Sequence, residues 1–344
     1  MDITIMRNQF PRIAAIVFLA LVSHVECNLA SGQQSATSKP FMLVTWFGPG
    51  GIALPTDQEW KLEMLTVYDE GRRPVVQYNR ASAGVTASFI LFENLSGKPT
   101  AEGCREDAIS PIVAHEAKLI SKRVDGAVKN AMGETLATTS YLIDMSAAGG
   151  HYLRNQFGFA GNSKTCAEIH LSSVDDTPAS DGAMKAALVD FRPDLAYQPA
   201  AIDHFRVASI LFKNSPNLAV PYYKSALDAM PDNPSFITPR RIATDQLVMS
   251  LGMSGDIKDG RTVAERAVAA DPDYPINYYN LACMDAEQGN ATNAKAHLKQ
   301  AFDRRANVLK GESMPDPTKD ESILKLKKDE TFWAFVVTLP KGKE

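Results

Sequence analysis

The segment from Gly255 to Phe302 reads GDIKDGRTVAERAVAADPDYPINYYNLACMDAEQGNATNAKAHLKQAF, and its small residues recur at a fixed interval. Three pairs of small residues are each 34 positions apart: Gly255 and Gly289, Gly260 and Ala294, and Ala267 and Ala301. This recurrence is typical of stacked helix pairs whose backbones approach closely at the small side chains. The segment therefore predicts an all-α repeat region.

Upstream residues extend the pattern to three helix-turn-helix units over residues 201–302. The last unit starts near Pro275, the middle one near Arg241 and the first near Ala200. The interval from Ala226 to Ala267 is 41 positions, which exceeds the repeat by seven and predicts an insertion around residues 233–239.

These units resemble the tetratricopeptide-repeat family, most closely in the last two. The resemblance implies that the first helices of the units line a groove for a protein or peptide ligand. Asp285 departs from the family pattern, which has an aromatic residue at that position. The residues at groove positions are His204, Phe212, Asp245, Met249, Met253, Tyr279 and Glu287. Two alternatives remain: the methionines and Phe212 could be core between helices, and the array could be a docking face or a homodimer interface.

The C-terminal residues 303–344 are predicted to cap the array, because its last unit would otherwise expose apolar surface. Within them, Met314 to Trp333 resembles the closing segment of exported bacterial repeat proteins. Ile323, Leu324, Phe332 and Trp333 are the side chains expected to cover the last unit.

The N-terminus carries the features of a signal peptide over residues 1–27. Arg7 and Arg12 precede an apolar run from Ile13 to Val22, which is short for a membrane span. We expect cleavage, export to the periplasm or the extracellular space, and no membrane span afterwards; an uncleaved anchor is the alternative. Residues 28–59 are predicted to be a flexible linker, in which the apolar run Phe41–Phe47 could form a strand.

Residues 60–190 predict an α+β domain with an antiparallel sheet covered by helices, joined to the repeats by a connector over residues 191–200. Alternating apolar residues predict strands around residues 85–91, 137–145, 153–159 and 167–171. Helices are predicted from Ser110 to about Val124 and over residues 182–191. With Trp60 near its first strand and Cys-Arg-Glu at 104–106, this domain loosely resembles the PsbP and Mog1 group of small α+β domains.

The cysteines predict one disulfide in this domain. Export permits disulfide formation, and Cys283 lies in a predicted repeat helix, where a thiol serves as a small apolar side chain. Cys104 and Cys166 remain as the expected pair, with two free thiols as the alternative.

No catalytic, metal or cofactor site is predicted. His115-Glu116 begins a zinc motif, but Leu119 stands where the second histidine would be. The Gly48–Gly51 segment lacks a following helix pattern and is interpreted as a turn. A net charge of −4 gives no reason to expect a nucleic acid partner. The leading hypothesis is an exported, non-enzymatic adaptor; in the alternative, the α+β domain binds a small ligand or modifies a cell-envelope substrate and the repeats dock it.

Overall fold

The protein is described here by a computed structural model covering residues 41–69, 72–145, 151–174 and 176–340. The predicted signal peptide and the first part of the predicted linker lie outside these residues. The chain is a mixed α/β protein in which antiparallel sheets form the N-terminal part and helices form the C-terminal part. This confirms the predicted succession of an α+β region and a helical region.

Seven antiparallel strands form the main sheet, in the order β3-β4-β5-β9-β8-β7-β6. The strands are β3 (Lys61–Tyr68), β4 (Arg73–Arg80), β5 (Val85–Glu93), β6 (Ile120–Lys129), β7 (Thr135–Met145), β8 (His151–Gly161) and β9 (Thr165–Ser173). The sheet thus consists of two meanders that meet where β5 pairs with β9. The four strands predicted from alternation are β5, β7, β8 and β9.

Alternation along the central strands gives the main sheet two faces. Val85, Ala87, Phe89 and Leu91 point to one side and pack with apolar residues of β9. Helix α2 (Pro178–Val189) covers this side, and Thr177 caps its first turn. Helix α1 (Ala101–Glu116) covers part of the opposite side, where it packs on β7 and β8.

The prediction for helix α1 was wrong in its bounds. The helix begins after Thr100, whose side chain accepts a hydrogen bond from the Gly103 N–H, and Pro111 lies inside it. Ile120 and Val124, expected on its buried stripe, belong instead to the edge strand β6. Strand β6 pairs with one neighbour only and is largely exposed. Its sequence therefore lacks the alternation of apolar and polar residues that identifies a strand.

A disulfide joins Cys104 in the first turn of α1 to Cys166 on β9, as predicted, with 5.6 Å between the Cα atoms. Gly161 on β8 makes this approach feasible. A Cβ atom at Gly161 would lie 2.7 Å from the Thr100 carbonyl oxygen and would also collide with the Cys104 sulfur. The N-terminus of α1 is therefore fixed to the sheet at a position where no larger residue fits.

The predicted flexible linker forms strands in the residues that the structure describes, which corrects that prediction, and the predicted connector contains a third short strand. Strands β1 (Met42–Val44), β2 (Gly51–Ala53) and β10 (Arg192–Asp194) form a second antiparallel sheet. Leu43 and Ile52 are fully buried against the α2 side of the main sheet. Strand β1 lies in the apolar run Phe41–Phe47, while β2 and β10 were missed because their stability comes from long-range packing and not from a local repeat.

Six helices follow in three consecutive pairs. They are α3 (Ala201–Phe212), α4 (Pro216–Ala229), α5 (Ile237–Met253), α6 (Ile257–Ala270), α7 (Pro275–Glu287) and α8 (Ala291–Asp303). Gly255 and Gly289, the glycines 34 positions apart, both adopt positive φ angles, of +82° and +73°. Each follows the first helix of its pair, where a left-handed residue ends the helix and turns the chain. The predicted insertion contains a short 3-10 turn at Pro234–Phe236.

The helical region has an apolar core at each end. Val44 and Val67 of the sheets pack with α3, α4 and α5, so the two parts of the chain share one cluster. Short helices α9 (Glu321–Leu324) and α10 (Glu330–Val336) close the other end, where Ile323 and Phe332 are buried against α7 and α8. In the described residues, no helix combines the length and apolarity needed to cross a membrane.

Candidate functional site

Helix α5 carries two exposed methionines on one side. Asp245, Met249 and Met253 follow each other at four-residue spacing and therefore lie along one side of this helix. Met249 is 36% exposed and Met253 is 63% exposed. Methionine is flexible and polarizable, so an exposed pair can adapt to the apolar side chains of a ligand.

Helix α7, which lies next to α5, has no such open side. Every residue from Pro275 to Ala286 is buried, as expected for a helix with neighbours all round. Asn280 Nδ2 donates a hydrogen bond to Asp245 Oδ1 at 2.8 Å, which ties α7 to α5. The remaining side of α7 is covered by residues 309–325, which we call the closing segment.

Side chains of α7 bind the closing segment at several points. The Tyr274 hydroxyl, next to the start of α7, donates to Glu312 at 2.7 Å, and the Tyr279 hydroxyl donates to Asp320 at 3.2 Å. At the end of the helix, Glu287 accepts from the Ser322 hydroxyl at 2.7 Å and pairs with Lys325 at 2.5 Å. The chain itself thus covers Tyr279 and Glu287, two of the residues at which the repeat pattern predicted a ligand.

Burial changes the acidity of the groups around this contact. Burial raises the pKa of Asp245 to about 6, against the effect of the Asn280 hydrogen bond, and also raises the pKa of Glu312. The pKa values of Tyr279 and Cys283 are raised well above their ordinary values, first by burial and then by nearby carboxylates. Both groups therefore stay protonated near neutral pH.

The predicted groove residues have different surroundings. Met249 and Met253 are exposed, as a ligand surface requires, while Asp245, Glu287 and Phe212 are partly buried. Placing His204 and Tyr279 on an accessible surface was wrong, since they are 7% and 2% exposed. His204 lies 6.4 Å from the Tyr222 ring between α3 and α4, and Tyr279 lies beneath the closing segment.

Sequence reasoning missed the partners that cover α7. Glu312, Asp316 and Asp320 are spaced four residues apart, and this regular spacing was the available signal. Nothing local in the sequence connects them to Tyr274 or Tyr279, because those contacts span about 40 positions.

A second cluster of titratable groups lies on the α1 side of the main sheet. His170 stacks on Phe157 at 4.2 Å between ring centroids, and its Nε2 lies 2.9 Å from Asn155 Oδ1. Burial lowers the pKa of His170 to about 4 and raises the pKa of the neighbouring Glu168 to about 7, against the effect of Arg73. The strand register places Phe157 opposite His170.

A shallow depression of about 360 Å³ lies between β6, β8 and the loop before α2. Lys122, at a β-bulge with φ of +51°, and Arg154 line it. Arg154 is already bound by Asp176 at 3.0 Å, Asp181 at 2.6 Å and the Ser180 hydroxyl at 3.0 Å. Its charge therefore fixes the start of α2 to the sheet.

His115, the start of the incomplete zinc motif, is exposed in the last turn of α1. Within the described ranges, no group of three or more His, Cys, Asp or Glu side chains has an arrangement that could hold a metal ion. Comparison with protein-family models and with curated proteins finds no match for this chain.

Proposed function

We propose that this chain is an exported, non-enzymatic adaptor that binds a protein or peptide through tetratricopeptide-like helix pairs. The exposed methionine pair on α5 carries the proposal. Two large apolar side chains at four-residue spacing on one helix side suit a helical or extended ligand with apolar anchors. The open ligand surface would then be centred on α5 and not on α7.

The repeat architecture supports the proposal in two ways. The turns at Gly255 and Gly289 are equivalent in position and in backbone conformation, which agrees with the 34-residue period. Gly260 on α6 lies where a Cβ atom would approach the Met284 sulfur to 2.9 Å, so a small residue permits close helix contact there. Export is supported by the buried disulfide, because an oxidising compartment preserves such bonds.

The alternative function places ligand binding in the α+β part, at the depression beside Lys122. Its support is a polar lining and a backbone at Lys122 that few side chains adopt. We favour the adaptor because Arg154 there is already neutralised by two aspartates, while Met249 and Met253 are open.

Photo-crosslinking in the native host tests the choice between the two sites. A photoreactive side chain at Met249 or Met253 is expected to form a discrete adduct with one partner. The same group at Val337 or Val189, which are exposed apolar positions elsewhere, is the matched control. Met253→Glu should remove the adduct formed at position 249.

Adducts at Tyr152, which lines the depression, without adducts on α5 would support the alternative. Equal labelling at all positions would contradict both proposals, because it would show no preferred surface.

A further inference from the structure

The side of the main sheet that faces α1 is only partly covered. Helix α1 packs mainly on β7, β8 and β9, and its first turn is bonded to Cys166 of β9. On the same side of β4 and β5, Gln77 and Ser88 are partly exposed. Strand pairing sets Gln77 opposite Ser88 and Ser88 opposite His170. A row of polar side chains therefore leads from the open part of the sheet to the cluster around His170.

Glu168 lies beside this row, two residues before His170 and on the same side of β9. It is 7% exposed, and its carboxylate accepts no hydrogen bond from the described part of the chain. The charge of Arg73 reaches this carboxylate. However, the Arg73 guanidinium lies over the Phe92 ring at 4.8 Å and pairs with Asp69 at 3.3 Å. The buried carboxylate of Glu168 thus lacks a hydrogen-bond donor.

His170 places a second acceptor on the same strand face. Asn155 Nδ2 donates to the Leu153 carbonyl at 3.2 Å, which orients the amide so that its oxygen faces His170 Nε2 at 2.9 Å. Nε2 therefore carries the proton, and Nδ1 of the neutral ring keeps a lone pair. Residues two apart on a strand are separated by about 7 Å, so both acceptors line one small area of the sheet.

A buried carboxylate without a donor costs stability. Positions at which a sequence breaks the pairing rule for buried polar groups are often functional. Next to Glu168 the sheet is apolar, because strand pairing sets Ile90 opposite Glu168 and Val75 opposite Ile90. An apolar strip thus leads across the sheet to an unpaired negative charge.

We propose that this side of the main sheet binds a small alkylammonium ligand, whose nitrogen donates to Glu168 and whose methylene groups lie against Ile90 and Val75. An ammonium group supplies the positive charge and the N–H donors that Glu168 and His170 Nδ1 lack. The site belongs to the sheet, so the inference goes beyond the adaptor proposal and stands whether or not α5 binds a partner.

An NMR titration of the isotope-labelled chain tests the proposal at pH 8, where Glu168, with its pKa of about 7, is ionised. Putrescine should shift the amide signals around Glu168 and Ser88, whereas the uncharged diol of the same chain length should not. Nα-acetyl-lysinamide separates two sources of the same group. Tighter binding of this compound than of putrescine would assign the site to a lysine side chain of a peptide, and the reverse order to a free amine.

Glu168→Gln should weaken the binding of both amines by about tenfold or more, because the amide carries no charge. Glu93→Gln, which alters an exposed carboxylate paired with Arg72, should bind like the unmodified chain. Ser88→Lys places an ammonium group at a partly exposed position diagonal to Glu168 and should block putrescine, which keeps the test open if Glu168→Gln does not fold.

Three results would overturn the proposal. They are the absence of amide shifts in β9 with either amine, equal binding by the unmodified chain and by Glu168→Gln, and binding of the diol as strongly as of putrescine.

Discussion

Asp285 shows how one polar residue fits inside a helix pair. It is fully buried on α7, where the repeat family has an aromatic residue, and it pairs with Arg261 of α6. Its other oxygen lies 2.6 Å from His297 Nδ1 of α8. One carboxylate thus connects three helices.

Removing this carboxylate should be costly. Asp285→Asn would leave Arg261 without its buried partner, and we expect a loss of about 2–4 kcal/mol in the free energy of unfolding. The measurement is urea unfolding at pH 7, with the surface variant Asp303→Asn expected to change stability by less than about 0.5 kcal/mol. Equal losses of unfolding free energy in the two variants would show that the buried contacts of Asp285 stabilise the chain no more than an exposed ion pair does.

Glu168 is expected to make the free energy of unfolding depend on pH. Its pKa is raised from 4.5 to about 7 by burial, so the folded chain binds the proton more strongly than the unfolded chain. Stability is therefore lost as the pH rises from about 4.5 through 7. Glu168→Gln should be more stable than the unmodified chain at pH 8, by about 1–3 kcal/mol, and nearly equal to it at pH 4.5.

Urea unfolding at both pH values checks this prediction. The exposed Glu93→Gln, which alters a surface pair with Arg72, is the control and should show no such pH-dependent gain. A Glu168→Gln variant that is less stable at pH 8 would mean that the carboxylate has a stabilising partner.

At the scale of elements, two glycines of the α+β part differ in the space around them. The first turn of α1 lies directly against Gly161 of β8, where an added Cβ atom would collide with Thr100 and Cys104. Gly182 on α2 has no atom within 4 Å of the place where its Cβ would be. A larger residue is therefore excluded at Gly161 but has room at Gly182.

Alanine at these two glycines should change stability in opposite directions. Gly161→Ala forces α1 away from the sheet, and we expect a loss of about 2 kcal/mol or more. Gly182→Ala adds a helix-favouring residue in open space, and we expect a gain of about 0.5–1 kcal/mol. The measurement is thermal unfolding of both variants with the disulfide intact. A loss of stability in both variants would contradict the open space around Gly182.

At the scale of the whole molecule, the sheets and the helices share a core. Val44 of β1 and Val67 of β3 pack in the same cluster as Phe205 and Leu247 of the helices, and the Ser225 hydroxyl donates to the Trp46 carbonyl at 3.2 Å. The shared cluster implies that the two parts unfold together.

Val44→Ala tests this coupling. We expect the variant to lose about 1–3 kcal/mol, with the helical and the strand regions shifting by the same amount. Hydrogen exchange resolved by peptide would measure both regions in one experiment. Protection that falls in β1 and β3 but is unchanged in α4 and α5 would show that the parts unfold independently.

Sequence periodicity alone predicted the helix pairs and the central strands. The 34-residue interval located the turns at Gly255 and Gly289, and two-residue alternation assigned the faces of β5 and β9. The Cys104–Cys166 disulfide followed from the cysteines that the other predictions left unpaired. The helix pairs and the strands were predictable because each follows from a periodic pattern of neighbouring residues. The disulfide was predictable because few cysteines could form it.

Only the tertiary structure decided which surfaces remain open. Strands β2 and β10 of the small sheet are stabilised by packing against residues distant in sequence, and the edge strand β6 is largely exposed, so no alternation of apolar residues marks them. Similarly, the closing segment covers α7 through contacts such as Tyr274–Glu312, which leaves Met249 and Met253 as the accessible pair. A sequence can show that a side chain lies on a given face of a helix, but whether water or protein meets that face depends on contacts made after the chain has folded.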